Sequence, residues 1–295
     1  MRALARQLGI GLEAVQPTGP GHTVTRADVR AAAADRSGGQ PSESAANPGP
    51  ERGGRPDNLA QAHGEGARGD QAGPRTSRQP IRSVRRATAA AMVESAFSAP
   101  HASLFIETDA TRGLGFARRT GLSLLALTAF ALVRAAIRHP VINASWDQKA
   151  GEIVYHHYVN LGIAVDSPRG LLVPTVADAD RLRLPELADG IGQLTKTARA
   201  GATAPEAMRG GTITLTNVGT LGVDGGSPIL VPGQVAILAL GAIRPRPWAH
   251  KGKIKLRSVG RLTLTFDHRL VDGADAAAAV KDIAAVLEWP DSALT

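Results

Sequence analysis

The sequence encodes an α+β layered domain behind a small helical unit and a tether. Three features say so. Residues 80–295 mix strand-like and helix-like stretches without the strict alternation of a parallel βαβ fold. Residues 36–79 are rich in Gly, Pro, Ser, Ala and Arg, with Leu59 as the one large apolar residue. Such a segment buries too little surface to offset its chain entropy. Residues 1–35 carry two short helical patterns around the turn signal Thr18-Gly19-Pro20-Gly21.

The elements follow in chain order. Leu4 and Leu8 stand one helical turn apart, and Thr25-Arg26-Ala27-Asp28 has the form of a capping box before Val29–Ala34. Two helices of this size form at most a mini-domain. After the tether, Ile81–Phe97 reads as an amphipathic helix that ends before Ala99-Pro100. Ala102–Ala110 is a strand, and Ser123–His139 is a helix stopped by Pro140. Glu152–Val176 reads as two strands around a Ser-Pro-Arg-Gly turn. Pro185–Gly201 is a helix with a glycine stop. Gly211–Gly219 and Gln234–Ile243 are strands, His250–Phe266 is a hairpin, and Ala274–Trp289 is the last helix.

Composition excludes several classes of function. There is no cysteine, so there is no disulfide frame, thiolate nucleophile or cysteine-held metal. A cytoplasmic location is expected. The most apolar run, Leu122–Val133, is too short to span a bilayer, and no membrane association is expected. The net charge is +8, but aromatics make up only 3% of the chain, which leaves nothing for bases to stack on. Nucleic acid is therefore not an expected partner. A basic surface of this size suits a phosphorylated small molecule, or is a solvated face.

The chemistry concentrates in TFDHRLVDGAD, Thr265–Asp275. A strand ends, and His268 follows between Asp267 and Arg269, with Asp272 four residues on. Neutral imidazole near pH 7 can take a proton from an attacking thiol or hydroxyl. Acyl transfer also needs a donor to the oxyanion of the tetrahedral intermediate. Thr216, in the glycine-rich stretch TLTNVGTLG, is the candidate; alternatively it is an ordinary β-branched strand residue. Asp272 is expected to orient the loop, for example through Arg85 or Arg86, or to be a turn residue before Gly273. A metal reading of DHRLVD has no second histidine or carboxylate cluster beside it.

These motifs resemble those of the dihydrolipoamide acyltransferases of 2-oxo acid dehydrogenase complexes, whose catalytic fold is shared with chloramphenicol acetyltransferase. DHRLVDGADAA resembles the family signature, with His268 in the base position and Asp272 in the acidic position. GGTITLTNVGTLG and PILVPGQVAILALGAI resemble the glycine-rich strand and its successor. Thr216 then falls where a Ser or Thr stabilises the intermediate, fifty-two residues before the histidine. INASWD, NLGIAVDSPRGLLVPTV and IRSVRRATAAAMVESAFSAPH also fit. PTGPGHTVTRADV, within residues 1–35, resembles the peripheral subunit-binding domain that docks partner enzymes. The resemblance implies a chloramphenicol acetyltransferase-like layered domain and a homotrimer with active sites between subunits. In it, His268 of one subunit faces Thr216 of its neighbour. It implies CoA or acetyl-CoA as co-substrate, no covalently bound cofactor, and Ser123 and Asp166 lining the CoA or acceptor channel.

Three departures shape the functional expectation. No lipoyl-lysine segment stands in the sequence, so either a lipoyl arm acts from another polypeptide, the sequence is part of a longer chain, or the acceptor is not lipoyl at all. The stretch TDATRGLGFARRTGLS is shorter than the family's helical region there. The tail Ala293-Leu294-Thr295 offers one sizeable apolar residue, which predicts a trimer rather than a larger shell. These departures favour CoA-dependent acylation of a small-molecule hydroxyl in a biosynthetic pathway, such as a tetronate polyketide. The alternatives are a dehydrogenase-complex acyltransferase using a lipoyl domain in trans, for which residues 1–35 speak, and a non-catalytic docking subunit.

Overall fold

The computed structural model describes residues 5, 15–17, 23–25, 28, 29, 32, 76–168 and 170–293. The chain divides into two compact units, Met1–Gly73 and Pro74–Thr295. In the first, Ala5, Val15 and Val29 are buried together, with Val24 and Ala32 against them. The expected capping box is formed. The Thr25 amide donates to Asp28 Oδ2 at 2.8 Å, and the Asp28 amide donates to Thr25 Oγ1 at 3.3 Å. Leu4, Leu8 and the tether up to residue 75 lie outside the described residues.

The second unit opens with helix α1 (Ser83–Ser98), which breaks at Ala99, the residue before Pro100. Strand β1 (His101–Asp109) follows directly. A ten-residue helix, α2 (Thr111–Thr120), occupies the stretch after β1. The segment caps itself at Gly121, whose φ of 71° is the left-handed conformation glycine permits. Next comes α3 (Leu124–Arg138), buried along most of its length. No single helix among the described residues is long and apolar enough to cross a membrane.

The remaining elements are β2 (Ala144–Asp147), β3 (Glu152–Tyr155), β4 (Leu161–Ser167), β5 (Gly170–Leu172), β6 (Thr175–Val176), α4 (Leu184–Arg199), β7 (Ile213–Asn217) and β8 (Ala236–Leu240). The chain then forms the hairpin β9 (Arg244–His250) and β10 (Lys253–Asp267), and ends in α5 (Gly273–Glu288) and α6 (Pro290–Ala293). The hairpin starts earlier than the sequence suggested, because Pro245 and Pro247 mask β9. An edge strand tolerates the missing donors. Its turn, Lys251-Gly252, has positive φ at both residues, the geometry that matches strand twist.

The main sheet runs β1-β10-β8-β7-β4-β5. β1, β10 and β8 are antiparallel neighbours, whereas β8, β7 and β4 are parallel. A period-two pattern gives the sheet two different faces. Leu262, Leu264 and Phe266 of β10 and Ile213 and Leu215 of β7 are in the core with Leu127 and Leu132 of α3 and Ile283 and Leu287 of α5. The alternating Thr263 and Thr265, and Thr214 and Thr216, therefore point to the other face. That face is lined by hydroxyls and small residues.

Candidate active site

His268 follows the last residue of β10, and two polar devices fix its backbone. Its amide donates to the Pro100 carbonyl at 2.9 Å. On either side in sequence, Asp267 and Arg269 form a bidentate pair, with Nε to Oδ1 at 3.0 Å and Nη2 to Oδ2 at 2.6 Å. Asp267 is buried at 2% exposure, so its charge has to be met there, and the planar guanidinium meets it with two parallel bonds. Trp146 of β2 lies beneath the Arg269 guanidinium at 4.9 Å. The Asp267–Arg269 pair and Trp146 were missed as site residues in the sequence. Their signal was the alternation of charge around the histidine and the tryptophan of INASWD.

The His268 ring is half-exposed, tilted against Phe266 with centroids 5.5 Å apart. Asp272 is the N-cap residue of α5, and its Oδ1 lies 3.7 Å from His268 Nδ1. That is beyond hydrogen-bond length but close enough to bias the Nδ1 side toward carrying the proton. Among the described residues, Asp272 lies against His268 and makes no salt bridge to Arg85 or Arg86, the partners offered as examples. The carboxylate is largely exposed.

Thr216 stands near the end of β7, in a row of three alternating threonines. Thr212 Oγ1 accepts from the Asn160 amide at 3.1 Å, and Thr214 donates to Gln234 Oε1 at 2.6 Å. Among the described residues the Thr216 hydroxyl, half-buried, makes no such bond and is available to a ligand. The segment after it crosses the end of β8 at very close range. A Cβ on Gly219 would lie 2.6 Å from the Gly241 carbonyl, and one on Gly241 would lie 2.1 Å from the Asp224 oxygen. Only glycine at these two positions allows that crossing.

One chain does not bring His268 and Thr216 together. The register aligns Thr216 with Ala239 of β8, and Ala239 with Thr263 of β10. His268 lies five residues further along, about 17 Å at about 3.4 Å per residue, and two strand spacings of about 4.8 Å away. The other two predicted residues are also apart. The Ser123 hydroxyl accepts from the Ala126 amide at 3.1 Å and caps α3. Asp166, exposed on β4, lines a cleft of about 400 Å³ with Arg85 and Thr88 of α1. Arg112 of α2 lies over the Trp289 ring at 3.5 Å. Among the described residues no cluster of three metal-ligating side chains occurs.

Residues 73–295 match the family model for the 2-oxoacid dehydrogenases acyltransferase catalytic domain, and residues 2–30 match that for the e3 binding domain. The chain belongs to the 2-oxoacid dehydrogenase acyltransferase family, and it is an acyltransferase. It is 36% identical over 305 residues to the dihydrolipoyllysine-residue acetyltransferase component of the Staphylococcus aureus pyruvate dehydrogenase complex. That alignment covers 99% of this chain and 69% of the relative. The fold agrees. A probable dihydrolipoamide acetyltransferase from Listeria monocytogenes superposes with a TM-score of 0.67 at 31% identity, covering 72% of this chain and 95% of that one. The dihydrolipoamide acetyltransferase of Azotobacter vinelandii gives 0.70 at 27% identity, covering 75% and 94%.

Proposed function

We propose that this chain transfers an acetyl group between CoA and a dihydrolipoyl thiol, as the acetyltransferase component of a 2-oxoacid dehydrogenase complex. One spacing carries the reading. In the Azotobacter enzyme a serine, a histidine and an asparagine, studied for their role in its catalytic mechanism, stand fifty-two and four residues apart. Thr216, His268 and Asp272 keep both intervals. The relatives act on dihydrolipoyl groups by name, and this favours the dihydrolipoyl acceptor over the biosynthetic hydroxyl that the sequence departures suggested.

The chemistry needs no metal. His268 takes the proton of the incoming thiol on Nε2, while the Asp272 carboxylate favours the tautomer with Nδ1 protonated. The thiolate attacks the thioester carbonyl. The Thr216 hydroxyl donates to the oxyanion of the tetrahedral intermediate. When the intermediate collapses, the leaving sulfur takes the proton back from the imidazolium, so charge and atoms balance.

The separation of His268 from Thr216 within one chain supports a homotrimer in which the base of one subunit faces the hydroxyl of the next. Asp166 and Ser123 are assigned to the channel, and residues 2–30 to docking a dehydrogenase partner. The deciding experiment follows CoA release from acetyl-CoA by the oligomeric full chain, with free dihydrolipoamide, with a lipoyl domain, and with neither. Release that depends on the dihydrolipoyl thiol is expected. Binding of acetyl-CoA without such turnover would overturn the reading. Light scattering is expected to give a mass of three subunits.

A further inference from the structure

The elbow between α1 and β1, Ala99-Pro100-His101, is tied to two segments far away in sequence, at His268 and at Leu230. Pro100 offers its carbonyl to the His268 amide at 2.9 Å. The His101 ring spans two backbone groups, with Nδ1 2.7 Å from the Ala99 carbonyl and Nε2 accepting from the Leu230 amide at 3.0 Å. A carbonyl can only accept and an amide N–H can only donate, so this geometry admits one state of the ring, neutral with its proton on Nδ1. From the other side, Ser95 Oγ donates to the Leu230 carbonyl at 2.7 Å, buried. Leu230 is thus gripped at both backbone groups, and its side chain is 1% exposed.

Leu230 is also where the wall changes side. Ser227–Ile229 line a cleft with His101, Ser103 and Thr265. Val231–Val235 line another, of about 510 Å³, with Trp146, Asp267 and Arg269. Releasing the Leu230 amide would leave a buried donor unpaired and free the wall between them.

We propose that His101 is a positioning residue. It holds His268 and the 227–235 wall in one frame, and does so only as the neutral ring protonated on Nδ1. The proposal rests on the reading of His268 as the base. Ala96 of α1, Ala99 of the elbow, Ser227 and Pro228 of the wall and Thr265 of β10 line the cleft with His101, Ser95 bonds the same Leu230, and Asp267 is the register partner of His101 across β1 and β10. Among them the one charged group is Asp267, already held by Arg269.

The test compares His101→Ala and His101→Gln in the full oligomeric chain. Gln has no titrating proton but can present an acceptor where Nε2 stood. His101→Ala is expected to lower kcat about 10–100-fold, the scale of a misplaced reacting group, with KM for acetyl-CoA within about threefold. Amide exchange of a peptide covering 227–235 should quicken in parallel. His101→Gln should recover most of kcat and of the protection, and make the acid limb of kcat/KM shallower by one proton. Unchanged exchange in His101→Ala, or an unchanged acid limb in His101→Gln, would overturn the proposal, and the Gln variant decides if His101→Ala does not fold. Exchange is read without turnover. Quickened exchange with parental kcat overturns the positioning role alone. Parental protein that turns over while His268→Ala does too overturns the base assignment, and the proposal with it.

Discussion

The two halves of the proposed site stand at different levels of one sheet, and they are held by different physics. The His268 end is held by polar bonds: an amide to Pro100, a bidentate Asp267–Arg269 pair and an indole plate. The Thr216 end is held by steric closeness, on a strand between two parallel neighbours, followed by a crossing that fits only because Gly219 and Gly241 lack side chains. The base end leaves its ring half-exposed. The hydroxyl end does not titrate, and it presents one free hydroxyl from a row whose other members are engaged. A donor that must meet a short-lived oxyanion gains from rigidity, because preorganised dipoles need no rearrangement during the reaction.

The largest expected effects separate the halves. His268→Ala should lower kcat about 10²–10⁴-fold with folding intact, the range for a lost general base, and Thr216→Ala about 10²–10³-fold, the range for a lost oxyanion donor. If the halves come from neighbouring subunits, mixing the two dead variants by co-refolding should restore activity. At equal amounts, about a quarter of the interfaces in a cyclic trimer pair an intact base with an intact hydroxyl. Absence of any recovery in confirmed mixed oligomers would mean that both groups act within one chain, and the comparison would fall.

Much of this was legible in the residues, because the local signals were strong. The β-type runs TITLT and RLTLTF gave the strands, proline stops bounded α1 and α3, and the capping box at Thr25–Asp28 formed as written. The hairpin start at Arg244 was hidden by two prolines that only an edge strand excuses, and α2 by glycines and arginines that gave it little helical pattern. Partners distant in sequence were not readable at all. Asp272 could be matched by charge to Arg85, Arg86 or His268, and only the chain path settles on the histidine. The same holds for His101, whose second partner is more than a hundred residues away.

A smaller effect tests the steric end. Gly241→Ala sets a methyl against the Asp224 carbonyl, and that carbonyl cannot easily retreat. The neighbouring Val223 oxygen accepts from the Ala242 amide at 2.9 Å, and Arg246 holds the Asp224 carboxylate at 2.8 Å. Overpacking of this kind costs about 1–3 kcal/mol, read as a lower Tm, and kcat should fall with it because the crossing follows Thr216 directly. A parental Tm would show that the crossing is loose and that the hydroxyl end is not held by fit.

The smallest effect lies at the far end of β1, away from both halves. Burial pushes the Asp109 carboxyl upward, but hydrogen bonds from Thr111 Oγ1, Arg257 Nε and the Thr111 amide outweigh it and hold the group below the usual carboxylate value. The folded value is depressed. The stabilisation is therefore complete above the unfolded carboxylate value and is lost as pH falls through the lower, folded one. Asp109→Asn should cost about 1–3 kcal/mol at neutral pH, as for a hydrogen bond to a charged group, and flatten the acid limb of the stability curve. Asp109 ties β1 to the β9–β10 hairpin through Arg257, and neither His268 nor Thr216 contacts that tie. Well below the Tm, kcat should then stay parental. A fall in kcat without a change in stability would make the hairpin part of the site, and the division of the molecule into two catalytic ends would need a third.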